Sequence, residues 1–176
     1  PFTLRHFDRK ALEEAKLLVL IAPSLPFSRS EIGMISAFVK AGGTLILSVG
    51  WEEKEASLSL MDAFGFSVDH LPLAQFISVI PAAGQKVRFY EAWPVMNREE
   101  GSEVIAAYKN YPVIMKKLYG AGAVVMIGDS SFFWNANLEM EESHTVENVE
   151  FLKWLLAGLK ERPGGDKEVK ERPSGS

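Results

Sequence analysis

The sequence predicts a three-layer α/β sandwich on a mostly parallel central sheet, and three short aliphatic stretches carry that prediction. Residues 17–22 (LLVLIA) are an unbroken run closed by Pro23, residues 44–49 (TLILSV) are a second, and residues 123–127 (AVVMI) are a third. Runs this short and this uniformly apolar suit strands covered on both faces. Between the first two lies a complete helix signal. Ser28 and Glu31 form a capping box, Ile32, Ile35, Phe38 and Val39 recur at helical spacing, and Gly42-Gly43 supplies the stop. A strand, helix, strand unit of this length is expected to be parallel and right-handed.

Residues 2–7 (FTLRHF) alternate like a half-buried strand, and Asp8 caps a short helix through Ala11, Leu12 and Ala15. A domain opening on such an edge is expected to be a fragment of a longer protein, preceded by another strand and helix. After Trp51, a helix carrying Leu58, Leu60, Met61 and Phe64 ends at Gly65 and hands over to a strand. Residues 75–81, 86–93 and 103–118 alternate between turn signals and read as short strands, some antiparallel. The last helix spans residues 143–159, with Val149, Leu152, Leu156 and Leu159 on one face. Residues 1–160 thus form one domain, and the charged, core-poor residues 161–176 are expected to be a disordered tail or linker.

A chain of 176 residues that is 47% hydrophobic and 11% aromatic can fill one core. Its formal charge of −4 gives no electrostatic case for nucleic acid. With no cysteine, disulfides, thiolate zinc sites and cysteine nucleophiles are all excluded. No apolar run approaches the roughly 20 residues of a membrane span, so the chain is expected to be soluble without inserting directly into a membrane.

The chemistry-bearing residues gather after the third aliphatic run. Asp129, Ser130, Ser131, Asn135, Asn137, Glu139 and His144 follow the carboxyl end of a predicted strand, where open α/β sheets hold their ligands. Ser24 and Trp51 should open onto the same edge, with Phe132, Phe133 and Trp134 as an aromatic wall. The ligand-binding candidates are therefore Ser24, Trp51, Asp129, Ser130, Asn135 and Asn137. A plainer reading makes Asp129 and Ser130 turn residues over a packed Phe132 and Phe133, and the composition favours it. Asp129, Glu139, Glu141, Glu142 and His144 match no ligand spacing, so neither a metal nor another cofactor is expected. Gly120-Ala121-Gly122 precedes a strand, which removes the dinucleotide reading. Phe89, Tyr90 and Trp93 read as sheet packing.

The order of a strand ending in Ala-Pro, a Ser-capped helix, FVKAGGTLILSVG, FGFSV, many short strands and GAGAVVMIGDSSFFWN resembles the class I glutamine amidotransferase-like superfamily, whose fold is flavodoxin-like. Within it the likeness is to a prokaryotic domain of unknown function, often membrane-anchored. The resemblance implies a cysteine after the strand matching residues 45–48 and a His–Glu pair after the strand matching residues 124–127. This chain has Ser48-Val49-Gly50-Trp51 and Gly128-Asp129-Ser130-Ser131 there, so amidotransferase activity is expected to be absent.

The leading expectation is a non-catalytic binding or scaffolding domain of a larger, membrane-associated protein, taking a partner protein, a small polar ligand or a glycan. The compartment stays open, an extracytoplasmic part of a membrane-anchored parent being one option. A first alternative is a hydrolase with Ser48 or Asp129 assisted by His144. A second is assembly through an exposed sheet edge, pairing one copy with another as a homodimer.

Overall fold

The computed structural model describes residues 9–138 and 147–160. Helix α1 (Arg9–Glu14) leads into strand β1 (Leu17–Ile21), α2 (Arg29–Lys40) into β2 (Thr44–Ser48), and α3 (Lys54–Ala63) into β3 (Phe66–Val68). Short strands follow: β4 (Ala74–Val79), β5 (Val87–Ala92), β6 (Val95–Asn97), β7 (Ser102–Tyr108), β8 (Tyr111–Tyr119) and β9 (Gly122–Ile127). Helices α4 (Asn135–Leu138) and α5 (Asn148–Lys160) complete the described chain. The expected strand over residues 2–7, the Asp8 cap, the start of the last helix before residue 147 and the tail lie outside the described residues.

The main sheet has five strands in the order β1-β2-β9-β8-β7. Strand β2 runs parallel to both β1 and β9, whereas β8 is antiparallel to both β9 and β7. Two antiparallel ribbons, β3-β6 and β4-β5, stand apart from it. The architecture is therefore mixed, which corrects the mostly parallel, flavodoxin-like sandwich read from the sequence. The reason lies in two tight turns. Lys109 and Asn110 join β7 to β8 with φ of 48° and 74°, the positive pair that a two-residue hairpin turn needs. Gly120 and Ala121 join β8 to β9 in a second two-residue turn, with Gly120 alone at positive φ, 62°. A turn this short can only return the chain antiparallel, since a parallel neighbour requires a long crossover.

Alternation along the central strands divides the core between two faces. Leu45, Leu47, Val124 and Met126 pack under α1, α2 and α3, together with Ile35, Val39 and Leu60. Ile46, Val125 and Ile127 point the other way, toward α5 and the β4-β5 ribbon, where Val87, Phe89, Phe132 and Phe151 fill the layer. Strand β1 departs from expectation. Leu18 and Leu20 join the helical side, but Leu17, Val19 and Ile21 are 38%, 36% and 46% exposed, because β1 is an edge of the described sheet. β2 and β9 are buried throughout, as their sequences predict.

The predicted start of α2 is present: the Ser28 Oγ accepts from the Glu31 N–H at 3.2 Å, and the Glu31 carboxylate accepts from the Ser28 N–H at 2.7 Å. After α2 the chain passes so close to β9 that glycine is required there. A Cβ on Gly122 would lie 2.0 Å from the Val39 carbonyl oxygen and 2.3 Å from that of Gly43. Gly33, by contrast, sits mid-helix with nothing within 4 Å of a Cβ position. Gly122→Ala is expected to lower the unfolding free energy by roughly 1–3 kcal/mol or more through overpacking. Gly33→Ala should raise it by about 0.5–1 kcal/mol through helix propensity. Urea denaturation of the two variants checks both signs.

Candidate functional site

The polar residues singled out after β9 converge on one strand, β5. On one side β5 pairs with β4, and on the other its main chain meets side chains instead of a strand. The alternate residues Lys86, Arg88 and Tyr90 point their amides that way, as antiparallel geometry dictates. Lys86 N–H donates to the Glu147 carboxylate at 2.9 Å. Arg88 N–H donates to Asn148 Oδ1 at 2.8 Å, and the Arg88 carbonyl accepts from Asn148 Nδ2 at 2.8 Å and Asn137 Nδ2 at 3.2 Å. Tyr90 N–H donates to Asp129 Oδ2 at 2.7 Å, with Glu91 N–H a weaker donor to the same oxygen at 3.4 Å. The edge of β5 is thus sealed by four side chains from the β9 loop, α4 and the start of α5.

Asp129 is fully buried, and its second oxygen accepts from Ser131 N–H at 2.8 Å. Burial pushes its carboxyl up to about 6, against the pull of the amides of Ser131, Tyr90 and Glu91, and the nearby Glu91 carboxylate adds to the rise. Desolvation therefore outweighs the backbone donors. Ser48, also fully buried at the end of β2, donates its hydroxyl to the Asp129 main-chain carbonyl at 2.5 Å. Asn137 is engaged on both amide atoms: Nδ2 also donates to the Phe132 carbonyl at 3.1 Å, and Oδ1 accepts from Arg88 Nε at 3.3 Å.

Of the residues predicted to form a site, Ser48, Asp129 and Asn137 are thus brought together, all three buried and bonded to main chain. Ser130 is half-buried, and its Oγ would lie 3.0 Å from a Cβ on Gly50, so the β2 and β9 loops touch through that glycine. Ser24 and Asn135 are exposed. Trp51, 42% exposed, stacks on the buried Trp93 with centroids 5.9 Å apart, with His70 edge-on and Lys54 Nζ 4.4 Å from its ring centre. The aromatic wall is reduced to one member: Phe132 is in the core between Phe89 and Phe151, Phe133 packs against it, and Trp134 alone is exposed. His144, Glu139, Glu141 and Glu142 lie outside the described residues. No group of three or more potential metal ligands occurs among the described residues. A groove of about 560 Å³ lies elsewhere, between α1 and α2, floored by Ser30, Gly33, Met34 and Phe38.

Sequence reasoning missed Asn148 and Arg88. The available signal was a polar strand, β5, followed much later by an asparagine at the head of an apolar helix, a residue type suited to bonding free backbone.

The architecture defines a class, a mixed α/β domain with a five-stranded sheet and two accessory ribbons. The chain belongs to the family described as Domain of unknown function (DUF4350), whose model matches residues 3–156. This overturns the resemblance to the class I glutamine amidotransferase-like superfamily, for which neither the family match nor the mixed sheet gives support. Among solved structures, the chain is similar to the mmIFT52 N-terminal domain, at 15% identity and TM-score 0.68 over 89% of this chain and 82% of that one. It is also similar to cytoplasmic protein STM1381 from Salmonella typhimurium LT2, at 17% identity and TM-score 0.61 over 88% and 76%. A third likeness is to Gan42B, a GH42 β-galactosidase from G. stearothermophilus, at 20% identity and TM-score 0.57 over 87% of this chain and 23% of that one. At these identities the likeness is one of fold. No curated protein matches the chain. No helix among the described residues is long and apolar enough to cross a membrane.

Because the Asp129 carboxyl titrates near 6 in the fold and near 3.8 when unfolded, the native state holds its proton more tightly. Its contribution to stability is therefore fully present below about pH 4 and is lost as the pH rises through about 6. Asp129→Asn presents an NH₂ to amide donors and is expected to cost roughly 1–3 kcal/mol at neutral pH. Chemical denaturation of both proteins from about pH 3.5 to about pH 6.5, which brackets both ionisations, should show the loss with rising pH in the wild type and a smaller loss in the variant.

Proposed function

We propose that this chain is a non-catalytic binding or scaffolding domain. The observation that carries the reading is the engagement of Ser48, Asp129 and Asn137 with the main chain. A serine nucleophile needs a base on its hydroxyl proton. Here that proton is directed at a carbonyl. The described residues give no support to an extracytoplasmic placement. A role inside a larger protein is supported by the likeness to a segment that makes up 23% of a β-galactosidase chain. A fluorophosphonate probe, which labels activated serines, is expected to leave Ser48 unmodified. Stoichiometric labelling at Ser48 would establish the hydrolase and end the binding reading.

Assembly of two copies is a second reading, favoured by the contrast between the two edges of the main sheet. Strand β7 carries register shifts near Val104 and Ala106, and its Glu103 pairs with Lys116 of β8, features that discourage edge pairing. Strand β1 is five uncharged aliphatic residues with one side-chain row exposed. Sedimentation velocity should show concentration-dependent dimers that Val19→Lys abolishes. A monomer at all concentrations would remove this mode.

A further inference from the structure

One face of the β4-β5 ribbon is not accounted for by the polar seal. Its inner residues Ile77, Val79, Val87 and Phe89 join the core, and three aromatic rings meet on the outer side. Phe76 stands edge-on to Tyr90 at 4.8 Å between centroids, and Tyr90 lies 5.6 Å from Trp134. Phe76 and Trp134 are 57% and 54% exposed, a large apolar area to leave in water.

The backbone at Phe76 is a second, independent observation. Its φ of 53° lies in the left-handed region that a bulky aromatic residue rarely adopts. The register runs unshifted from Gln75↔Glu91 to Ile77↔Phe89, so no inserted residue accounts for this conformation. Backbone strain that a fold maintains is a pointer to function.

Arg88 supplies the third. It precedes Tyr90 by two residues and so shares its face of the strand. Its guanidinium is held by neutral acceptors, Asn137 Oδ1 at 3.3 Å and the Ala136 carbonyl at 3.2 Å. Among the described residues it pairs with no carboxylate. A positioned cation with donors to spare thus adjoins the aromatic strip, and its planar fork matches a carboxylate.

Resting on the binding-domain reading and deepening it, we infer that Phe76, Tyr90, Trp134 and Arg88 form a site for a glycan bearing carboxylates, with sugar rings stacked on the aromatic faces and a uronate on Arg88. The strand edge beside them is closed to an added peptide strand, because Asp129, Asn137 and Asn148 occupy it. The edge-to-face contact of Phe76 with Tyr90 also fills the slot that a proline helix would enter. Successive ring planes turn by 71° and 44°, which suits a twisted soluble chain better than a flat crystalline surface.

Calorimetry of the 176-residue protein with oligogalacturonate, its methyl ester and a proline-rich peptide tests this. Oligogalacturonate should bind, with the uncharged ester at least about tenfold weaker. Trp134→Ala should weaken binding by about tenfold or more, and Arg88→Gln should remove the distinction between acid and ester. Phe76→Asn, a residue type that tolerates the left-handed region, should lower affinity without lowering the melting temperature. No binding of either sugar, preference for the peptide, or unchanged affinity in Trp134→Ala would overturn the site. If the sugars fail while Ser48 stays unlabelled by fluorophosphonate, the glycan site alone is lost. Labelling of Ser48 removes the binding-domain reading itself.

Discussion

The β4-β5 ribbon hangs on the body of the protein by hydrogen bonds from side chains to one strand edge, and much else in the structure depends on that arrangement. An unpaired strand edge buried against a domain leaves main-chain donors and acceptors that must be satisfied. A second antiparallel partner for β5 would have done so. Instead Glu147, Asn148, Asn137 and Asp129 supply acceptors and donors in succession along residues 86–91. Two of them stand at the head of α5 and one in α4, so both elements are tied to the ribbon by hydrogen bonds, and α5 also by its buried face. Phe89, Phe132 and Phe151 then close the layer beneath.

This seal gives the polar residues at the carboxyl end of the parallel strands a second set of partners, the main chain of β5. Open α/β sheets hold ligands where their strands end because the loops there diverge and leave polar groups free. Here the loops after β2 and β9 converge through Gly50 and Ser130, and Ser48 and Asp129 turn inward. The raised carboxyl of Asp129 follows from its burial, which outweighs the amides that donate to it. Perturbed carboxylates cluster at functional sites, but networks that satisfy main chain perturb them equally well.

Much of this was legible from local signals. The capping box at Ser28 and Glu31, the buried strands β2 and β9 and the glycine stop before β3 are properties of a few neighbouring residues, and all occur as read. The sheet as a whole was not legible: residues 103–118 read as short strands, some antiparallel, about a turn at residues 110–112, but no local signal set them beside the parallel strands, so the sheet still read as mostly parallel. Strand β1 shows the other limit. Its LLVLI reads as doubly buried, but whether a strand is central or at an edge depends on partners remote in the chain. For the site, residue types were informative and distances were not. Aspartate and asparagine after β9 pointed to hydrogen bonding, while the main chain of β5, 39 residues before Asp129 and 49 before Asn137, proved to be the partner.

The most direct test of the account is a pH titration followed by NMR, reading the Asp129 side-chain carboxyl carbon together with the amide protons of Tyr90 and Ser131. If the carboxylate seals the β5 edge, both amides shift with the carboxyl at a midpoint near 6, and they return when the proton is removed. Amides of Tyr90 and Ser131 that ignore the Asp129 titration would contradict the sealed edge and return Asp129 to the list of groups free to meet a ligand.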